Sequence, residues 1–212
     1  MPTQRSRSAS IRKVPRQSRS RYVVDLILDT TSQILLQEGY SKVTTNRIAE
    51  VAGISIGSLY QYFPNKGAIV KALALRHSQK MSEVLRVRFA AIGDVPVAQA
   101  AHEIILAEFS AHAVEENLHR ALLQEVPKHA RITATNDVHQ CATTLVRNFL
   151  AQRFSNHSEV QLDLAAFILV HTISALSEAA LRRRPGLLSD HALLAESVAL
   201  VAAYLQRLAD TR

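Results

Sequence analysis

Three features of this 212-residue chain predict an all-α protein. Leucine and alanine are abundant, while glycine and proline number only six each. Apolar residues recur at i, i+3 and i+4 along most of the length, the spacing of one helix face. No stretch of Val, Ile and Thr alternates with polar residues as a half-buried strand would. About nine helices are expected, divided between a small N-terminal domain of three and a larger helical domain.

Residues 1–18 hold five bases (Arg5, Arg7, Arg12, Lys13 and Arg16), two prolines and almost no branched aliphatics. Such a segment buries too little surface to order itself and reads as a flexible basic arm, able to lie along phosphates. The first helix is expected over about 20–38, with Val24, Ile27, Leu28, Thr31, Ile34 and Leu35 on one face and Gly39 at its end. Thr44 or Thr45 caps a second helix running to about Ala52, and Gly53 and Ile54 make a turn. Ser55 caps a short third helix ending near Tyr62, and Asn65 caps a fourth reaching about Ile92. Beyond Pro96 the helices fall at about 96–117, 118–126, 131–154, 159–184 and 190–209. Their breaks lie at Pro127, at Phe154 to His157 and at Pro185-Gly186.

Charge divides the chain unevenly. Residues 1–80 carry thirteen Lys/Arg against four acids, a net of +9. The other 132 residues carry twelve against fourteen, a net of −2. A basic front joined to a slightly acidic body suggests that only the front meets a polyanion.

The stretch from Thr45 to Phe63 says which polyanion. Two short helices crossing steeply need a small side chain where they touch, and Ala49 supplies it. Four residues on, the sharp turn favours a residue free to take positive φ, which is Gly53. Six further on, Leu59 plugs the inside of the second helix, with Ile48, Ala52, Ile54 and Phe63 completing the inward set. This is the spacing of a DNA-binding helix-turn-helix. The outward residues are Ser55, Ile56, Gly57, Ser58, Tyr60, Gln61 and Tyr62, with no acid among them. Small residues permit close approach to a major groove, and hydroxyls and helix amides donate to phosphate. Gln61 is suited to adenine and Ile56 to a thymine methyl. Lys66 sits in the first turn of the fourth helix, unfavourable for the helix dipole unless a phosphate lies there. With Thr44 and Thr45, these residues are the expected contacts to double-stranded DNA.

The run from Ile27 to Ile69 also resembles the DNA-binding domain of TetR-type transcriptional regulators. The matching elements are Gly39-Tyr40, Thr44-Thr45, Ile48-Ala49, Ala52 to Ser55, Gly57 to Tyr60, Tyr62-Phe63 and Lys66-Gly67. Thr31 departs from the usual alanine, which is tolerable if its hydroxyl bonds back to a carbonyl. The basic extension is also longer than the family minimum. The resemblance implies a three-helix DNA-binding domain over residues 19–66 and a ligand-binding and dimerisation domain over 67–212. It implies a regulator, mostly a repressor, answering to a small molecule.

A short recognition helix reads few base pairs, so a homodimer on a palindrome is expected, with half-sites spaced in whole DNA turns. The expected dimer surface is a four-helix bundle of the last two long helices. It uses Leu162, Ala166, Leu169, Ile173, Leu176, Leu194, Val198, Val201 and Leu205. The family's pocket falls in the middle segment, where Phe89, Ile105, Phe109, Leu122, Leu145 and Phe149 are apolar candidates. His112, Gln124 and Cys141 are the polar ones. The absence of a conspicuous pocket charge favours a neutral or hydrophobic effector.

Other classes fare poorly. A single cysteine excludes an intrachain disulfide framework and fits a reducing, cytoplasmic setting. His139 and Cys141, two apart on a helix, point to different faces, so no catalytic pair forms. The histidines at 102, 112, 119, 129 and 139 lack the i, i+4 spacing of a metal site. No enzyme, cofactor or metal is expected. The uncharged stretch Leu164 to Ser177 is too short to span a membrane, and none is expected. The alternative is an architectural protein that binds DNA without regard to sequence.

Overall fold

The computed structural model describes residues 18–183 and 186–210. The basic arm expected over 1–18 therefore lies outside the described residues except for Ser18, as does Pro185 of the expected break. Nine α-helices and two short 3-10 turns make up the described part, with no strand among the described residues.

Helix α1, Ser18–Glu38, buries Val24, Ile27, Leu28, Ile34 and Leu35, the stripe that 3.6-residue spacing puts on one side. Thr31 is fully buried on that stripe, and its hydroxyl donates to the Ile27 carbonyl at 2.7 Å. The back-bond satisfies a group that would otherwise be stranded in the core, so the departure from alanine is accommodated as expected. The helix stops at Gly39, whose φ of +82° would strain any side chain. A 3-10 turn over Tyr40–Lys42, which periodicity could not reveal, leads to α2 (Thr45–Val51), α3 (Ile56–Tyr62) and α4 (Lys66–Ala90).

The remaining helices are α5 (Val97–Ala113), α6 (Glu116–Gln124), α7 (Lys128–Arg153), α8 (Glu159–Arg183) and α9 (His191–Asp210). Two ends differ from expectation. Helix α5 stops before 117 because Glu115 takes a left-handed φ of +48°, which no helix can continue through. Helix α7 begins at Lys128 rather than 131; Pro127, expected to break the pattern, accepts a bond from Ala130 N and opens the helix instead.

The chain divides into two compact units. One comprises Met1–Arg76 with Glu125–Ile132, and the other His77–Gln124 with Thr133–Arg212. Residues 125–132, expected in the second domain, thus pack with the first unit. In the second unit α5 is the central helix and lies against α6, α8 and α9. Its buried residues include Ile104, Ile105 and Phe109. Each such side chain contributes about 1.5–3 kcal/mol on burial.

Helices α8 and α9 are long and apolar enough to cross a membrane by length and composition alone, a test that the buried helices of a protein core also pass. Burial rather than composition reveals the role of α8. Its residues Leu162, Ala165, Ala166, Leu169, Val170 and Ile173 pack into the second unit's core.

Candidate functional site

The α2–α3 corner is built from residues close in sequence. Thr44 Oγ1 accepts from Arg47 N at 3.1 Å and caps α2. Ser55 Oγ accepts from Ser58 N at 3.1 Å and caps α3. Between them Gly53 turns the chain at φ +66°, and Ile54 N bonds the Ala49 carbonyl at 3.0 Å. Ala49, Ile48, Leu59 and Phe63 are buried, while Ala52 and Ile54 are only half-buried. The inward set fixes the angle between the helices and leaves the other face of α3 in solvent.

That face carries Ser55, Ile56, Gly57, Tyr60 and Gln61, all exposed, with Ser58 and Tyr62 half-buried. The Ser55 and Ser58 hydroxyls lie 2.8 Å apart, and the Thr45 hydroxyl lies 3.2 Å from the Tyr60 phenol. The latter bond joins the start of α2 to the outer side of α3. Thr44 is exposed and Thr45 half-buried. The outward face of α3 therefore presents donors and acceptors, one exposed aliphatic and no carboxylate.

The four acids of residues 1–80 are each paired with an arginine, Glu50 on α2 among them. Arg47 pairs with Glu38 at 2.9 Å and with Glu50 at 3.2 Å. The hydrogen bond from Arg47 is the main reason that Glu38 is held below the usual carboxylate range. Arg76 reaches Asp29 at 2.8 Å and Asp25 at 3.9 Å. Asp25, Asp29, Glu38 and Glu50 are all the acids of residues 1–80, so two arginines absorb every one.

Lys66 is more engaged than its sequence position suggested. Its ammonium donates to the Tyr40 carbonyl at 2.7 Å and stands 3.6 Å from the centre of the Tyr40 ring. Tyr40 N–H in turn donates to the Glu125 carboxylate at 2.9 Å. Partial burial lowers the pKa of Lys66 from the ordinary lysine value. A carbonyl and an aromatic face thus offset the unfavourable placement at a helix N-terminus.

In the second unit the expected pocket residues scatter. Ile105 and Phe109 are buried in the core, and Phe89, Leu145 and Phe149 pack half-buried against it. Leu122 is buried on α6, and exposed Gln124 donates to the Arg182 carbonyl at 3.5 Å. Cys141 and Leu145 meet at an open cleft of about 450 Å³ that Arg86, Asp137, Gln140 and Thr144 also line. A neighbouring cleft of about 520 Å³ shares Gln140 and Thr144 with it and has His139, Arg147, Asp163 and His171 in its walls.

His112 lies in none of these clefts but in a buried polar chain that sequence reasoning missed. It lies 3.2 Å from His119 and 3.1 Å from Glu108. The search for histidines four apart overlooked the one local trace, a glutamate and a histidine at that spacing.

The residues expected at a dimer surface need correcting. Leu162, Ala166, Leu169, Ile173, Val201 and Leu205 are buried inside this chain's own core, and Leu194 and Val198 are half-buried. Only Leu176 of that set is exposed. Helix α8 is apolar on two sides, and the stripe chosen packs inward toward α5. The opposite stripe, Val160, Leu164, Phe167, Ile168 and Leu176, faces solvent, as does Leu200 on α9.

Comparison with known proteins bears on both units. Residues 27–73 match the bacterial regulatory proteins of the tetR family. Residues 96–205, just over half the chain, match the tetracyclin repressor-like C-terminal domain. An uncharacterized HTH-type transcriptional regulator of Bacillus subtilis, YvkB, is 39% identical over 59 residues, 28% of this chain and 31% of that protein. The nucleoid occlusion factor SlmA of Haemophilus ducreyi is 32% identical over 76 residues, 34% of this chain and 36% of that protein. The chain thus spans about a third of the length of these curated relatives. Among solved structures, a TetR-family regulator from Streptomyces coelicolor is 25% identical with a TM-score of 0.58, covering 87% of this chain and 98% of that one. The regulator FadR of Bacillus subtilis, solved with stearoyl-CoA, shares the fold at 19% identity, with a TM-score of 0.63 over 85% of this chain and 98% of its own. The matched families and YvkB are named as regulators, and none of the relatives reported is named as an enzyme. A capped helix-turn-helix whose α3 carries no acid on its outward face and a family match to each unit lead to one conclusion: the chain belongs to the TetR family of DNA-binding transcriptional regulators.

Proposed function

We propose that this regulator is a ligand-responsive repressor that binds a palindromic operator as a homodimer and is released by a small neutral or hydrophobic molecule. The observation that carries the reading is the outward face of α3. Its exposed Gln61 and Ile56 suit base edges, and its hydroxyls and Gly57 suit close approach to phosphate. Thr44, Thr45, Tyr60, Tyr62 and Lys66 flank it as backbone contacts.

A helix of seven residues reads too little sequence alone, which argues for two copies. The solvent-facing stripe of α8, with Leu200 of α9, is the surface we assign to dimerisation. An exposed apolar stripe of this extent marks an interface in a water-soluble regulator. DNA as target places the protein in the cytoplasm. For the effector, support comes from apolar residues among α5 to α7 and from FadR, whose structure holds stearoyl-CoA. A ligand entering among these helices would displace α4, whose residues belong to both units, and so mis-space the recognition helices. Such a ligand must bind the released form more tightly, and about 1–3 kcal/mol of coupling suffices.

Selecting bound duplexes from a random pool with the full chain tests the reading. The expected outcome is a two-fold symmetric sequence preferred by about 10³-fold or more over random duplex. An architectural binder would enrich nothing and would show one steep salt slope on every duplex.

A further inference from the structure

A chain of polar side chains crosses the second unit, and the hydrogens it requires are countable. Glu115 Oε2 lies 3.3 Å from His77 Nδ1, and His77 Nε2 lies 2.8 Å from His119 Nδ1. His119 Nε2 lies 3.2 Å from His112 Nδ1, and His112 Nε2 lies 3.1 Å from Glu108 Oε1. All six ring nitrogens therefore face a partner. The three imidazoles and Glu108 are between 3% and 8% exposed, where an unmet polar group is costly.

A neutral imidazole brings one N–H and one lone pair. Three of them supply three hydrogens to four links, and ionised carboxylates at both ends only accept. One link would then set lone pair against lone pair. A single added proton repairs it wherever it sits, on any of the three rings or on either terminal carboxyl, as two cases show. As an imidazolium, His119 donates to both neighbours, while His77 donates to Glu115 and His112 to Glu108. Alternatively a protonated Glu108 donates to His112, and each ring passes its hydrogen on toward Glu115.

We propose that this chain takes up one proton from solvent, beyond those of its neutral imidazoles and ionised carboxylates, and that this proton fastens α4, α5, α6 and α8 together. The proposal stands independently of the DNA-binding reading.

The surroundings agree with that count. Lys80 on α4 holds Glu115 Oε1 at 2.7 Å, and Ser174 on α8 donates to Glu108 Oε1 at 2.5 Å. With the proton, two cationic charges balance the two carboxylates; without it, a buried negative charge is left over. From α7, His139 faces Glu108 and His112, and it is itself faced by His171 and Glu178 of α8. Burial keeps His139 on the neutral side of its ordinary value. Burial does the same to His77, outweighing Glu115. Burial pushes Glu108 upward, but the His112 and Ser174 bonds outweigh it and hold the carboxyl below its usual range. Glu115, the described non-glycine residue with positive φ, is kept in that disfavoured backbone by its bonds to His77 and Lys80. Among the described residues no group of three or more His, Cys, Asp or Glu has the arrangement to hold a metal ion.

Histidines in an unfolded chain titrate near about pH 6.5. Above that the unfolded protein has released the proton and the folded one retains it. The stabilisation is complete below about pH 6.5 and is lost as pH rises through the folded chain's own value. Glu108→Gln isolates the effect. An amide nitrogen brings two fixed hydrogens, one for His112 Nε2 and one for Ser174 Oγ, and the rings then relay toward Glu115 without an added proton. Urea unfolding of the full chain at fixed concentration from about pH 7.5 to 9.5 supplies the comparison. The wild-type unfolding constant should rise more steeply than that of the variant, approaching an extra tenfold per pH unit for one proton. Parallel slopes would overturn the proposal. If the variant does not fold, nitrogen-15 spectra of histidine-labelled wild type at about pH 8.5 decide, since free histidine is neutral there. One doubly protonated imidazole, or a protonated carboxyl at either end of the chain read from carbon-13-labelled glutamate, supports the shared proton; neutral rings between two ionised carboxylates contradict it.

Discussion

In the α2–α3 corner, polar contacts join residues 3 and 15 apart in sequence, and their hydroxyls border solvent. In the second unit the buried chain joins residues 38, 42 and 66 apart, from four different helices and a turn. The first arrangement keeps its hydrogen-bonding groups available to a nucleic acid, and losing one costs little because water replaces it. The second withholds its groups from water, so losing one strands its partners. Polar groups of similar chemistry thus serve recognition in one unit and cohesion in the other.

Substitutions that remove one member from each region separate the two most clearly. Glu108→Ala leaves His112 and Ser174 buried without their shared acceptor, and should destabilise the second unit by about 3–5 kcal/mol in urea unfolding. An effect comparable to that of a surface residue would erase the contrast. Next comes Leu59→Ala, which empties the fully buried plug of the corner. It should cost about 2–5 kcal/mol by thermal melting and abolish DNA binding at once. Retained operator affinity in a folded variant would mean that the angle between α2 and α3 does not matter. Thr44→Ala removes only the cap of α2, and a loss of about 1 kcal/mol is expected. A change as large as that of Leu59→Ala would show that the corner's hydroxyls are structural after all.

The same contrast explains what could be read from sequence. Thr44, Gly53, Ser55 and Asn65 do their work on neighbours within a few residues, so each was found in its expected role. The Asn65 side chain, for instance, accepts from Ala68 N at 2.9 Å. The inward set of the corner was nearly as plain, because Ala49, Leu59 and Phe63 recur at fixed offsets. Two things were not legible. Helix α8 is apolar on two sides, and periodicity alone does not say which side meets α5; the inward Leu162, Leu169 and Ile173 were therefore mistaken for the exposed face. The histidine chain is assembled by tertiary packing, and only Glu108 and His112 lie on one helix turn. The end of α5 was misplaced for a related reason: Glu115 turns left-handed while bonded to His77 and Lys80, which are distant in sequence.

Gln61→Ala gives the most direct test, because Gln61 is exposed and should alter stability by no more than about 0.5 kcal/mol. Repeating the random-pool selection with this variant should yield the same symmetric sequence with one position per half-site relaxed, a loss of about 1–3 kcal/mol of discrimination there. An unchanged preference at every position would contradict the assignment of base reading to the outward face of α3.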